Sequence, residues 1–116
     1  MSTYLINHLR IPGGVPTEES LRYLELVQAT TEAYGARWLA VDAAVQVIEG
    51  AWPGSVVLIE FPDAETAKAW YNSPEYQEIL SLRTAHTIND LILVDSVGPE
   101  FTVAGYAQQI RTLLGQ

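Results

Sequence analysis

The chain predicts an α+β fold of the ferredoxin-like kind, a split βαβ whose antiparallel sheet carries helices on one face. Three observations predict it. Apolar residues switch between period two and period 3.6 in the order β-α-β(β)-β-α-β, followed by a helical tail. Each helical run lies between strand runs, where it serves as a crossover. Turn residues at Pro12-Gly13-Gly14, Gly35, Pro53-Gly54 and Gly98-Pro99 punctuate the boundaries.

The first strand is expected over residues 4–11. One face holds Leu5, Asn7, Leu9 and Ile11; the other passes from Tyr4 and Ile6 to His8 and Arg10. A helix follows from an N-cap at Thr17, with Glu18 and Glu19 where the helix dipole favours acids. Leu21, Leu24, Val27, Thr31 and Tyr34 give it one stripe, and Gly35 ends it. Residues 37–41 and 44–49 are two extended runs around Asp42-Ala43, a hairpin or a bent strand. Residues 55–61 form the clearest strand, with Val57, Ile59 and Phe61 on one side and Val56, Leu58 and Glu60 on the other. Asp63 caps a helix over 64–71, and Ser73-Pro74-Glu75 restarts it after a bend near Asn72, as far as about His86. Residues 88–97 are the last strand. Residues 101–114 then make an amphipathic helix with Val103, Tyr106, Ala107, Ile110, Leu113 and Leu114 on its apolar side.

At 116 residues the chain is expected to form one domain, 1–116, with a core over about 3–97 and a helical extension over about 100–115. Its net charge of -8, with only six Lys and Arg, argues against a nucleic-acid partner and an anionic membrane surface. There is no cysteine, which excludes disulfides, thiolate catalysis and cysteine metal sites. The N-terminus lacks a basic start followed by an apolar stretch, and no apolar run approaches the ~20 residues that span a bilayer. A cytoplasmic location is the expectation. Glycine loops for phosphates and a Gly-x-Ser-x-Gly elbow are missing from the sequence.

Helices on one face leave the other sheet face bare, with Tyr4, Ile6, Val56, Leu58 and Leu91 or its neighbours exposed. Such a patch is too apolar to stay wet. The expected remedy is a homodimer, two sheets face to face forming an α/β barrel.

Five segments carry a resemblance to a known family. They are Tyr34-Gly35-Ala36-Arg37-Trp38-Leu39, Val47-Ile48-Glu49-Gly50-Ala51-Trp52, Val57-Leu58-Ile59-Glu60-Phe61-Pro62-Asp63, Ala69-Trp70-Tyr71-Asn72-Ser73-Pro74-Glu75-Tyr76 and Leu91-Ile92-Leu93-Val94. Together they resemble the domain-of-unknown-function family DUF1330, within the dimeric α/β-barrel superfamily. The resemblance implies the homodimeric barrel. It also implies a fold shared with cofactor-independent quinol monooxygenases, muconolactone isomerase-like enzymes, chlorite-dismutase-type haem proteins and small cyclases of polyketide pathways. Two features depart from the family pattern: Val41-Asp42-Ala43-Ala44 replaces an Arg-Gly-Gly-like step, and about twenty residues extend beyond the last strand.

Site residues follow from ionisable groups on the face expected inside the barrel. Glu60 ends a strand where a hydrophobe is expected, so it is either an acid-base group or one half of an ion pair with Arg37 or Arg83. His8 is a candidate base, or a satisfied interior histidine. Arg37 is a candidate fork for a ligand oxyanion, or the partner of Glu60 or Glu49. Arg83 is read as a surface or intersubunit contact, and His86 as a helix-end residue. Trp52, Tyr71, Tyr76, Asp42 and Tyr4 are candidate ligand-binding residues, while Trp70 is read as core. His8 and His86 show no metal spacing, and neither metal nor cofactor is expected. The functional expectation is a small organic ligand, acted on by proton transfer, cyclisation or oxygenation. The competing expectation is a non-catalytic binding protein with structural polar residues.

Overall fold

The computed structural model describes residues 1–115. Its strands are β1 (Thr3–Arg10), β2 (Arg37–Ala43), β3 (Ser55–Phe61) and β4 (Ile88–Asp95). Its helices are α1 (Glu18–Thr31), α2 (Ala64–Tyr71), α3 (Pro74–Thr84) and α4 (Val103–Leu113). The strands form one sheet in the order β2-β3-β1-β4, with every neighbouring pair antiparallel. That order is the ferredoxin-like one, and it follows from α1 and α2–α3 acting as crossovers.

The pleat separates two chemistries. Thr3, Leu5, Asn7 and Leu9 of β1 are buried, while Tyr4, Ile6, His8 and Arg10 are half-buried. Register carries this alternation across the sheet: Leu5 stands opposite Ile59 and Leu93, and Ile6 opposite Leu58 and Ile92. Helices cover the Leu5 face, where Val27, Ile59, Phe61, Trp70, Tyr76 and Ile79 make the core. Trp70 is fixed by its shape and by its indole N–H, which donates to Thr30 Oγ1 at 2.9 Å. The other face carries no helix. Its outermost apolar residues, Ile92 and Val94, are 53% and 43% exposed.

Local signals act where the sequence places them. Thr17 Oγ1 accepts from Ser20 N at 3.2 Å to start α1. Gly35 takes φ 66° after a 3-10 turn, and a Cβ there would stand 3.1 Å from Pro62 Cγ. Asp63 caps α2 by accepting from Thr66 N at 2.7 Å. Ser73 then accepts from Tyr76 N at 3.2 Å to start α3, with Pro74 in its first turn. The helix break near Asn72 is therefore two helices with separate caps.

One detail of the sequence reading is corrected, and one alternative in it is resolved. Residues 44–49 do not continue as a strand: register shifts after Trp38 and Ala40, Asp42 adopts φ 49°, and the pairing ends one residue later with Ala43 opposite Val56. Leu91 lines the helix side, so its neighbour Ile92 represents β4 on the bare face. Helix α4 buries none of its residues, and Val103, Tyr106, Ile110 and Leu113 are exposed.

Candidate functional site

The clefts of this molecule lie on the helix side of the sheet. An internal cleft of about 70 Å³ runs between the sheet and helices α1 and α3. Its floor is Leu5, Asn7, Val57 and Ile59; Trp38, Trp70, Tyr23 and Tyr76 supply aromatic walls. Exposed Val41, Asp42 and Pro16 mark one mouth. At the far end Arg83, Thr87 and Leu91 are shared with a wider cleft of about 320 Å³ that also touches Tyr71 and Asn89.

A polar chain crosses this apolar space. Tyr23 and Tyr76 hydroxyls stand 2.9 Å apart, with their rings edge to face. Arg83 Nε donates to Tyr76 Oη at 3.3 Å, and its guanidinium lies 5.9 Å from the centre of the Tyr23 ring. Helical spacing explains the second contact, because residues 76 and 83 are two turns apart on α3. Arg83 is only 8% exposed, and no carboxylate among the described residues comes within ion-pair reach. Burial, and then the neighbouring Tyr76, hold the Tyr23 phenol far above its ordinary value. Tyr23 is therefore a hydrogen-bond donor at any physiological pH. For Arg83, burial works against its charge, but the two tyrosine oxygens outweigh it and raise its proton affinity.

Asn7 carries an unmet group in the same cleft. Its Nδ2 donates to Asn89 Oδ1 at 2.8 Å, while its Oδ1 is buried without a partner. At the mouth, partial burial raises the proton affinity of Asp42.

The nominated residues divide between two places. Tyr76 and Asp42 line the internal cleft, and Tyr71 lines the wider one. His8, Glu60, Arg37 and Tyr4 lie on the bare sheet face instead. There Glu60 pairs with Arg37 at 3.5 Å, across the β2–β3 register. The His8 ring stacks on Trp52 with centroids 4.1 Å apart, and Arg10 Nη1 lies 3.3 Å from His8 Nδ1. Gly54 makes this stack possible, because a Cβ there would meet Leu9 O at 2.4 Å and the His8 ring at 2.9 Å. His86 reaches Glu19 at 3.1 Å.

Sequence reasoning missed Asn7 and Tyr23 and misread Arg83 as a surface residue. The available signals were Asn7 among the apolar residues of a strand face, and Arg83 two turns after Tyr76 on one helix side. Among the described residues no group of three or more His, Asp or Glu is placed to hold a metal. No described helix is long and apolar enough to cross a membrane.

This fold, with a polar chain under its crossover helices, defines a ferredoxin-like α+β protein with a small internal cleft. The chain belongs to the family described as Domain of unknown function (DUF1330), whose model matches residues 2–97. It is similar to RPA0582, a Rhodopseudomonas palustris protein of unknown function, at 17% identity and TM-score 0.67 over 84% of each chain. It is also similar to a dimeric ferredoxin-like protein from Jannaschia sp. CCS1, at 13% identity and TM-score 0.62 over 83% of this chain and all (100%) of that one. A third similarity is to SnoaB, a cofactor-independent oxygenase from Streptomyces nogalater, at 12% identity and TM-score 0.56 over 87% of this chain and 97% of that one. Likeness at these identities establishes the fold alone. No curated protein matches the chain. The family match ends at residue 97, which leaves α4 outside it.

Proposed function

We infer that this protein binds a small organic molecule in the cleft beneath α1 and α3 and acts on it by proton transfer without a bound cofactor. The observation that carries this reading is the Tyr23–Tyr76–Arg83 chain, set in a space with aromatic walls. Tyr23 and Arg83 would stabilise negative charge developing on the ligand, and Asp42 at the mouth would exchange the proton. Charge of that kind arises in cofactor-free cyclisation and in cofactor-free oxygenation. The oxygenase activity of SnoaB on the same fold supports the reading by analogy.

The working unit in this reading is a homodimer. The bare sheet face, with Ile6, Leu58, Ile92 and Val94, packs on the same face of a second copy. The dimeric Jannaschia protein is consistent with that arrangement. Sedimentation of the wild type should give a dimer and Ile92→Glu a monomer. A monomeric wild type at micromolar concentration removes the dimer.

Cleft binding is tested by tryptophan emission during titration with small ring compounds, since Trp38 and Trp70 wall the cleft. A response in the wild type that is lost in Trp38→Phe supports it. Emission flat across a panel of acids, phenols and neutral rings removes it.

A second reading is favoured by one observation: Glu60 already has a local partner in Arg37, and the His8 ring is packed on Trp52 although its Nε2 is buried without a hydrogen-bond partner. In that reading the polar residues of the sheet face are structural. Glu60→Gln and His8→Ala then lower thermal stability and leave ligand binding intact.

A further inference from the structure

Two side chains lining the internal cleft, a cation without a counter-charge and an amide oxygen without a donor, are complementary to one kind of molecule. Arg83 is 8% exposed as a residue, its guanidinium borders the wider cleft, and its one side-chain hydrogen bond among the described residues goes from Nε to Tyr76. A buried cation without a counter-charge is costly, and a bidentate anion is the partner that its planar fork fits. Asn7 is 5% exposed, and its Oδ1, fixed by the Nδ2 bond to Asn89, is a buried acceptor with no donor. An orphan acceptor of this kind is matched by a hydroxyl group. Both residues line the same cleft as Trp38 and Tyr23.

The size of the space narrows the class. The internal cleft of about 70 Å³ is smaller than the ~150 Å³ that holds a benzene ring, and the adjoining cleft of about 320 Å³, which shares Arg83, Thr87 and Leu91, adds the space that one ring needs. The wider cleft beyond Arg83, Thr87 and Leu91 gives an anionic group a route to the guanidinium.

We propose that the cleft is a binding site for a single-ring hydroxy-carboxylate, its carboxylate on Arg83 and its hydroxyl donating to Asn7 Oδ1. The planar ring lies against Trp38 and Tyr23. The assignment rests on the small-molecule reading of the cleft and adds charge and hydroxyl recognition to it. It runs against the net charge of the chain, -8, so the attraction is local to Arg83 and does not come from the protein's overall field.

The test uses the full chain and titrates it with 4-hydroxybenzoate, benzoate and phenol by isothermal calorimetry, at one pH and ionic strength. Hydroxybenzoate is expected to bind about tenfold or more tightly than phenol, as loss of a charged hydrogen-bonded group predicts, with benzoate between them. In Arg83→Met, hydroxybenzoate should fall to the level of phenol while phenol is unchanged. In Asn7→Leu the advantage of hydroxybenzoate over benzoate should vanish. Should either variant fail to fold, the three-ligand comparison on the wild type decides alone. Equal binding of phenol and both acids overturns the hydroxy-carboxylate assignment and leaves the cleft standing as a site. No heat with any of the three, together with flat tryptophan emission, overturns the cleft itself and this assignment with it.

Discussion

Tyr76 Oη stands 3.3 Å from Arg83 Nε and 2.9 Å from Tyr23 Oη, so one hydroxyl serves two buried groups. Its removal in Tyr76→Phe strands the guanidinium N–H and frees Tyr23 as well. Leaving a buried polar group unmet costs about 1–3 kcal/mol, so chemical denaturation should show a loss in that range. Tyr23→Phe leaves the Arg83 bond in place and should cost less. The double variant should lose less than the two singles added together, because all three groups belong to one network.

Alkaline unfolding reads the same network from its titration. Burial raises the folded-state proton affinity of the Tyr23 phenol above its ordinary 10.0. Its contribution is therefore complete below pH 10.0 and is lost as the pH climbs towards the folded value. Stability measured from pH 9 upward should fall in the wild type. Tyr23→Phe should show a shallower fall.

The cap between α2 and α3 also positions the site. Ser73 Oγ accepts from Tyr76 N at 3.2 Å and donates to Trp70 O at 2.7 Å, all of it buried. Ser73→Ala removes both bonds and should cost about 1–2 kcal/mol, the upper part of the usual N-cap range. Thermal melting checks the loss. Ligand titration of the same variant should show weaker binding, because Tyr76 begins the helix that carries Arg83.

Asp42 gives a prediction of opposite sign. Burial raises its carboxyl above the ordinary 3.8, so its stabilising contribution is whole below pH 3.8. That contribution is lost as the pH rises through the folded value, and at pH 7 the ionised group is a net burden. Asp42→Asn keeps a residue that tolerates φ 49° and removes the charge. The variant should melt higher than wild type at pH 7, with the two curves converging as the pH approaches 3.8. An equal difference at both pH values would rule the carboxyl out as its source.

Much of the architecture was legible in short-range chemistry. Thr17, Asp63 and Ser73 cap the helices that their sequence positions announce, and Gly35 ends the first. Strand alternation placed Glu60, His8 and Ile6 on the bare face, because register transmits one residue's orientation across three strands. The cleft was not legible in the same way. Tyr23 and Tyr76 are fifty-three residues apart and meet only through the packing of α1 on α3. Arg83 sits on a helix whose apolar stripe is weak, so periodicity could not mark it as buried. The end of β2 was hidden for another reason. Residues 44–49 have strand-like composition, and a single left-handed Asp42 overrides it.

The tail helix has a consequence for how the molecule changes under mutation. Residues 103–113 include no fully buried side chain, and an isolated helix of 11 residues is marginal in water. None of the helix's residues lines the internal cleft, so the appendage can be rewritten for a new neighbour while the walls of the chamber stay as they are.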